Sequence, residues 1–226
     1  FKSSGMMLTC RKDMGVNSTD DLKGKTLGVW FYGNEYPFLS WMSRLGLATD
    51  GSANGVTVLK QGWGVEPLTE GQAACVSTMS YNEYWVVRDA GYTPEQLTVF
   101  KYQAEGASTL EDGLYVLEKN LADDSFKDKM VRFVRASMKG WKYAEANPKE
   151  AASIILDNDD AGVQTEKHQI RMMGEIAKLT AGSNGSLDPS DYERTVKVLM
   201  SGASDPVITK EPVSYTHLRA HETRNY

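Results

Sequence analysis

Cysteine is nearly absent. Cys10 and Cys75 are the two present in 226 residues, too few for a disulfide framework, and neither sits in a CxxC spacing or a histidine-rich cluster. They are expected as a pair of buried free thiols. Histidine is equally sparse, with three in the chain. Two of these, His217 and His221, fall in VSYTHLRAHET, which resembles translated adapter sequence, so residues 213–226 are expected to be a non-native tail and the spacing of four between them carries no metal site. Positive charge is not in excess either: 25 Lys and Arg against 30 Asp and Glu leave a net charge of −5. Basic residues are scattered and not striped, which argues against a nucleic-acid partner. No apolar run is long enough to cross a bilayer, so no direct membrane span is expected. The chain starts at Phe1 without a basic n-region or an apolar h-region, so an export signal is expected to lie outside this fragment.

What the chain does have is a globular composition, 41% hydrophobic and 24% charged, enough to bury a sizeable core. Met6–Cys10, Lys25–Trp30, Val56–Lys60, Ala74–Met79 and Leu97–Tyr102 are strand-like, rich in β-branched and aromatic residues. Between them, Tyr36–Leu47, Glu66–Gly71 and Tyr81–Ala90 carry helical patterns. Strands alternating with helices predict βαβ units and a mostly parallel sheet over residues 20–102. After Tyr102 the texture becomes helical. Asp124–Asn147 repeats apolar residues at helical spacing, Pro148 stops or kinks it, and helices are predicted over 149–157, 164–181 and 189–201, with Gly113–Leu117 as one further strand.

In open α/β sheets, ligands sit beyond the carboxyl ends of the strands, and three strand ends here are rich in rings. The first runs into Trp30, Tyr32, Asn34, Glu35 and Tyr36, with Gly33 permitting a tight turn. The second is Gln61-Gly62-Trp63-Gly64. The third, Tyr81, Asn82, Glu83, Tyr84 and Trp85, repeats the order aromatic, Asn, Glu, aromatic. Aromatic faces hold a flat heterocycle by stacking, and an amide beside a carboxylate matches the edge of an aminopyrimidine. Phe38, Leu39 and Trp41 are assigned to packing by their spacing along a helix. The carboxylate pairs Asp20-Asp21, Glu111-Asp112 and Asp159-Asp160 are expected as caps or solvated loops, and His168 as a surface or packing residue.

Taken together, GVWFYGNEYPFLSWM, QGWGVEPL, STMSYNEYW, TLEDGLYVLE and VRASMKGWKYAEANP resemble the substrate-binding proteins of ABC importers, in the branch of thiamine-pyrimidine-precursor binding and synthase proteins. The resemblance covers residues 1–212. It implies the α/β fold of a type II periplasmic-binding protein, two lobes joined by a hinge, with the first lobe incomplete. On that template residues 1–19 end the first lobe and make the first hinge crossing, 20–102 form the second lobe, and 103–212 are the returning half of the first. Arg11–Val16 and Tyr102–Ser108 become the hinge segments, with Gly15 and Gly106 absorbing dihedral change, and Glu105 and Ser108 facing the cleft.

The resemblance further implies a periplasmic or membrane-anchored extracytoplasmic receptor that hands a small aromatic heterocycle to an ABC permease, without cofactor, metal or catalytic residue. Enzymatic relatives use a histidine and a cysteine-rich iron-binding run, from which this sequence departs. A pyrimidine-precursor synthase on the same fold is the alternative, and riboflavin or a sulfonate are alternative ligands.

Overall fold

The computed structural model describes residues 3–201 and 208–210; the tail expected at 213–226 lies outside them. Two compact units are present, one built on Ser4–Thr109 together with residues 193–201 and 208–210, the other on Leu110–Tyr192.

The first unit is a five-stranded mixed sheet of β1 (Met6–Arg11), β2 (Thr26–Val29), β3 (Thr57–Lys60), β4 (Cys75–Met79) and β5 (Leu97–Lys101), ordered β3-β2-β4-β1-β5. β2 is parallel to both β3 and β4, as βαβ connections require. β1 is antiparallel to both of its neighbours, β4 and β5. The sheet is therefore mixed where a mostly parallel one was expected, and β1, expected to close the first lobe, is its fourth strand. Nor is Arg11–Val16 free of the sheet: Lys25 donates to the Met14 carbonyl at 2.8 Å and Thr98 to that of Val16 at 2.7 Å.

Alternation along the strands buries both faces. Leu8, Cys10, Leu27, Val29, Cys75 and Phe100 point to one side, where α1 (Glu35–Arg44) contributes Phe38, Trp41 and Met42. Trp41 meets the rings of Phe100 and Tyr102 at centroid distances of 5.3 and 5.8 Å, and Phe38 and Trp41 are enclosed as their spacing predicted, with Leu39 partly covered. Val76, Leu97 and Val99 point the other way, toward Leu68 of α2 (Glu66–Thr69) and Val87 of α3 (Glu83–Asp89).

The two cysteines are a disulfide and not free thiols. Cys10 and Cys75 are directly opposed in the β1–β4 ladder. The adjacent Arg11 N–H donates to the Ala74 carbonyl, which makes Cys10–Cys75 a non-hydrogen-bonded pair, the class whose side chains approach most closely. Sequence spacing could not reveal this because the pairing spans 65 residues.

The second unit is helical: α4 (Asp124–Ala146), α5 (Pro148–Asp157), α6 (Glu166–Thr180) and the first turn of α7 (Pro189–Met200). Asp123 caps α4 by accepting from the Ser125 N–H at 2.9 Å, and Thr165 caps α6 by accepting from that of His168. Ala151, Ala152, Gln169 and Met173 are buried, but no residue of α4 is. Gly113–Leu117, expected as a strand, is irregular and exposed; its apolar residues have no neighbouring strand to pair with among the described residues. Among the described residues no helix is long and apolar enough to cross a membrane. The carboxylates expected as caps do that work: Asp21 closes a capping box with Ser18, accepting its N–H at 2.9 Å, and Asp159 accepts the Gln164 N–H at 2.7 Å. The backbone N–H groups of Asn17 and Ser18 hold the Asp21 carboxyl below its ordinary range.

Candidate functional site

Three neighbouring parallel strands, β3, β2 and β4, bring their carboxyl ends to one end of the sheet. From β2 the chain leaves through α1 toward β3 on one side, then crosses back through α2 to β4 on the other. The β2/β4 boundary is thus a topological switch point, where the connections diverge and open a crevice. The ladder there is short: β2 pairs with β4 through Leu27–Cys75 and Gly28–Val76, whereas its pairing with β3 continues to Val29–Lys60.

A side chain continues what the ladder leaves off. Gln61 is 6% exposed, and its amide behaves like a strand backbone toward Ser77: Oε1 accepts the Ser77 N–H at 2.8 Å while Nε2 donates to the Ser77 carbonyl at 3.0 Å. Nε2 also donates to the Gly64 carbonyl at 3.1 Å, which folds the QGWG turn over the strand end. Gly28 makes the room. A Cβ there would lie 2.9 Å from Val76 Cγ1 and 3.3 Å from both the Cys75 carbonyl oxygen and Gln61 Oε1.

The first two ring-bearing turns are joined. The Trp30 indole donates to the Gly62 carbonyl at 2.9 Å, and Lys60 Nζ donates to the Tyr32 hydroxyl at 3.3 Å while lying 4.6 Å from that ring's centroid and 5.5 Å from that of Phe31. Tyr32 and Trp63 stand almost wholly in solvent, 91% and 98% exposed. Trp30 and Tyr36 are half-buried and Asn34 is exposed. Asn34 and Glu35 fold back on their own turn: the Asn34 amide donates to the Phe31 carbonyl at 3.4 Å, and Glu35 Oε2 accepts the Gly33 N–H at 2.8 Å.

The third turn repeats this device. Glu83 accepts the Met79 N–H at 2.9 Å and the Asn82 amide at 2.7 Å, and the Trp85 indole donates to the Ser80 carbonyl at 3.0 Å. Both Asn-Glu pairs thus shape strand-to-helix turns, and the half-buried rings of Tyr81, Tyr84 and Trp85 stand beside them. Burial pushes the Glu83 carboxyl up, against the opposing pull of its hydrogen bonds. An acid whose pKa is raised by folding binds more protons when folded, so stability falls as pH rises through that interval. Glu83 is expected to titrate above its ordinary 4.5, with its own contribution to the unfolding free energy greatest below that pH and declining as pH rises through its folded-state value. A carbon-detected NMR titration of this carboxyl checks it; a midpoint at or below 4.5 refutes it.

Glu105 is not brought into this group. It follows β5, the edge strand separated from β4 by β1, and its carbonyl is held by Arg44 at 2.5 Å. Ser108 is fully enclosed, so it faces no opening, and its carbonyl accepts from Arg194 at 3.3 Å. Lys60, Phe31 and Ser77 were not among the expected site residues, and Gln61 was expected only as part of the Gln61–Gly64 turn. The place of Gln61 was legible, directly after a strand and ahead of Gly62 and Gly64, but its bonds to Ser77 were not.

The model of the NMT1/THI5-like family matches residues 1–151, and no curated protein matches the chain. Among solved structures, a protein from Bordetella bronchiseptica RB50 is similar at a TM-score of 0.50 and 15% identity, over 90% of this chain and 65% of that one. A chain from work on glutathione import through GshT and the cystine ABC importer TcyBC of Streptococcus mutans aligns at a TM-score of 0.33 and 15% identity, over 44% of this chain and 41% of that one. The chain therefore spans less than two thirds of the length of either structure. The α/β fold is of the periplasmic-binding-protein kind. With the family's pattern matched over residues 1–151 and the ring-bearing strand ends within that span, the chain belongs to the NMT1/THI5-like family.

Proposed function

We propose that this protein is a non-catalytic, extracytoplasmic solute receptor of an ABC importer, which captures a small flat heterocycle, such as a thiamine pyrimidine precursor, and delivers it to a membrane permease. The observation that carries the reading is the gathering of ring-bearing turns at the carboxyl ends of β2, β3 and β4, around a switch point, with Tyr32 and Trp63 left in solvent. Exposed aromatic rings at a sheet's ligand-binding end are unfavourable to leave uncovered and suited to stacking. Membership of the NMT1/THI5-like family supports the receptor class. The Cys10–Cys75 disulfide supports an oxidising compartment.

Calorimetric titration of the full chain with aminopyrimidines, riboflavin and aliphatic sulfonates tests the reading. Binding of a ring compound, with tryptophan fluorescence quenched in step, is expected. Binding confined to the aliphatic sulfonates, or to none of the panel, overturns it. Trp63→Ala is expected to weaken ring binding by about fivefold to a hundredfold, the range of one lost stacking contact, with no change in melting temperature because the indole packs on little.

A further inference from the structure

Lys60 occupies an unusual position in a chain with a net charge of −5. It is the last residue of β3, exposed, at the ring-bearing end of the sheet. Among the described residues no carboxylate pairs with it; its recorded contacts are the Tyr32 hydroxyl at 3.3 Å and the faces of Tyr32 and Phe31. Cation–π contact holds an ammonium in place without neutralising it. The charge stays available to an incoming anion.

Tyr32 is held at a backbone φ of +64, one of two non-glycine residues with positive φ among those described. A bulky L-residue is disfavoured there, and packing does not explain the choice, since the side chain is 91% exposed. The contact this conformation secures is the one with Lys60. Strained residues that no core requires gather at functional positions. Here the strain sets a phenol O–H and an ammonium side by side at the rim, next to the turn that carries Trp63.

We infer that Lys60 and Tyr32 select ligands whose flat ring carries an oxyanion, a carboxylate, sulfonate or phosphate group. The ring stacks on the exposed aromatics while the ammonium and the phenol donate to the anion. The inference rests on the receptor reading above and narrows its ligand class. Two matched pairs of probes test it on the full chain: uracil against orotate, and riboflavin against its 5′-phosphate. The anionic member of each pair is expected to bind about 1.5-fold to fivefold tighter, the range of a partly exposed ion pair. That preference is expected to shrink as salt is raised to about 0.5 M and to disappear in Lys60→Met.

Tyr32→Asn, which tolerates the left-handed region, is expected to keep or raise the melting temperature while reducing the anionic preference. If rings bind with no anionic preference in the unsubstituted protein, or if Lys60→Met retains it, the inference is overturned and the receptor reading stands. A fall in melting temperature for Tyr32→Asn makes the strained residue structural and also overturns it. If none of the four probes binds, the inference is overturned, and the heterocycle reading falls with it only where the aminopyrimidines also fail to bind.

Discussion

Paired substitution of Cys10 and Cys75 by alanine is expected to lower the unfolding free energy by about 4 kcal/mol. The bond closes a loop of 65 residues, and on the chain-entropy view that loop's freedom in the unfolded state is what the cross-link removes. For a chain of this size the loss corresponds to a fall in melting temperature of roughly 8–16 °C. Both residues are fully enclosed, so the native protein should resist reductant, and thiol titration in denaturant should find no free sulfhydryl until reductant is added. A variant melting within a degree or two of the unsubstituted protein, or two reactive thiols in the denatured oxidised chain, would contradict the bridge. Because the bond joins β1 to β4 at the residue that pairs with Leu27 in the short ladder, its loss should also raise amide exchange along that ladder.

Replacing Gln61 by alanine is the second substitution with a large expected effect. It removes hydrogen bonds to Ser77 N–H, Ser77 C=O and Gly64 C=O, and Ser77 is 1% exposed. Leaving a buried donor and acceptor unpaired costs about 1–3 kcal/mol each, so a loss of roughly 3 kcal/mol is expected in urea unfolding. Gln61→Glu should recover part of it, since a carboxylate can still accept the Ser77 N–H but cannot donate to its carbonyl. The discriminating measurement is hydrogen exchange at the Ser77 amide, which should quicken in Gln61→Ala. An unchanged rate together with a loss below 0.5 kcal/mol would mean that water replaces the side chain at no cost.

The strands were legible because their patterns are local. The run Val56–Lys60 is bounded by turn residues and rich in β-branched side chains, and β3 lies within it. Helix α7 starts at Pro189, directly after Asp188, as a cap followed by proline predicts. What was not legible depends on partners distant in sequence. Nothing around Met6–Arg11 tells that its neighbours will be β4 and β5 in antiparallel sense, and the fate of the cysteines follows from that register. Gly113–Leu117 has a strand's composition, but a strand needs a neighbour.

The same division runs through the site. That rings gather at strand-to-helix turns could be read from the chain, since parallel strands put those turns at one end of a sheet. The local duties of Asn34, Glu35, Asn82 and Glu83 were readable in principle, because acidic residues at a helix start serve backbone N–H groups. The roles of Lys60 and Gln61 were not. Lys60 acquires meaning from Tyr32, and Gln61 from Ser77, contacts made by crossover connections that no single segment encodes.

The placement of β1 has a consequence for how the molecule comes into being. β1 is an inner strand of the sheet, and its partner across the far ladder arrives late: Met7 waits for Lys101, about 90 residues behind it. At about 5–20 residues per second, β4 follows β1 by roughly 3–15 s and β5 by roughly 5–20 s, so until β4 emerges the segment Met6–Arg11 has no native neighbour in the sheet. Assembly of the sheet must therefore be a late, concerted event governed by long-range closure, intrinsically slow. The nascent chain depends during that interval on being shielded from its own copies.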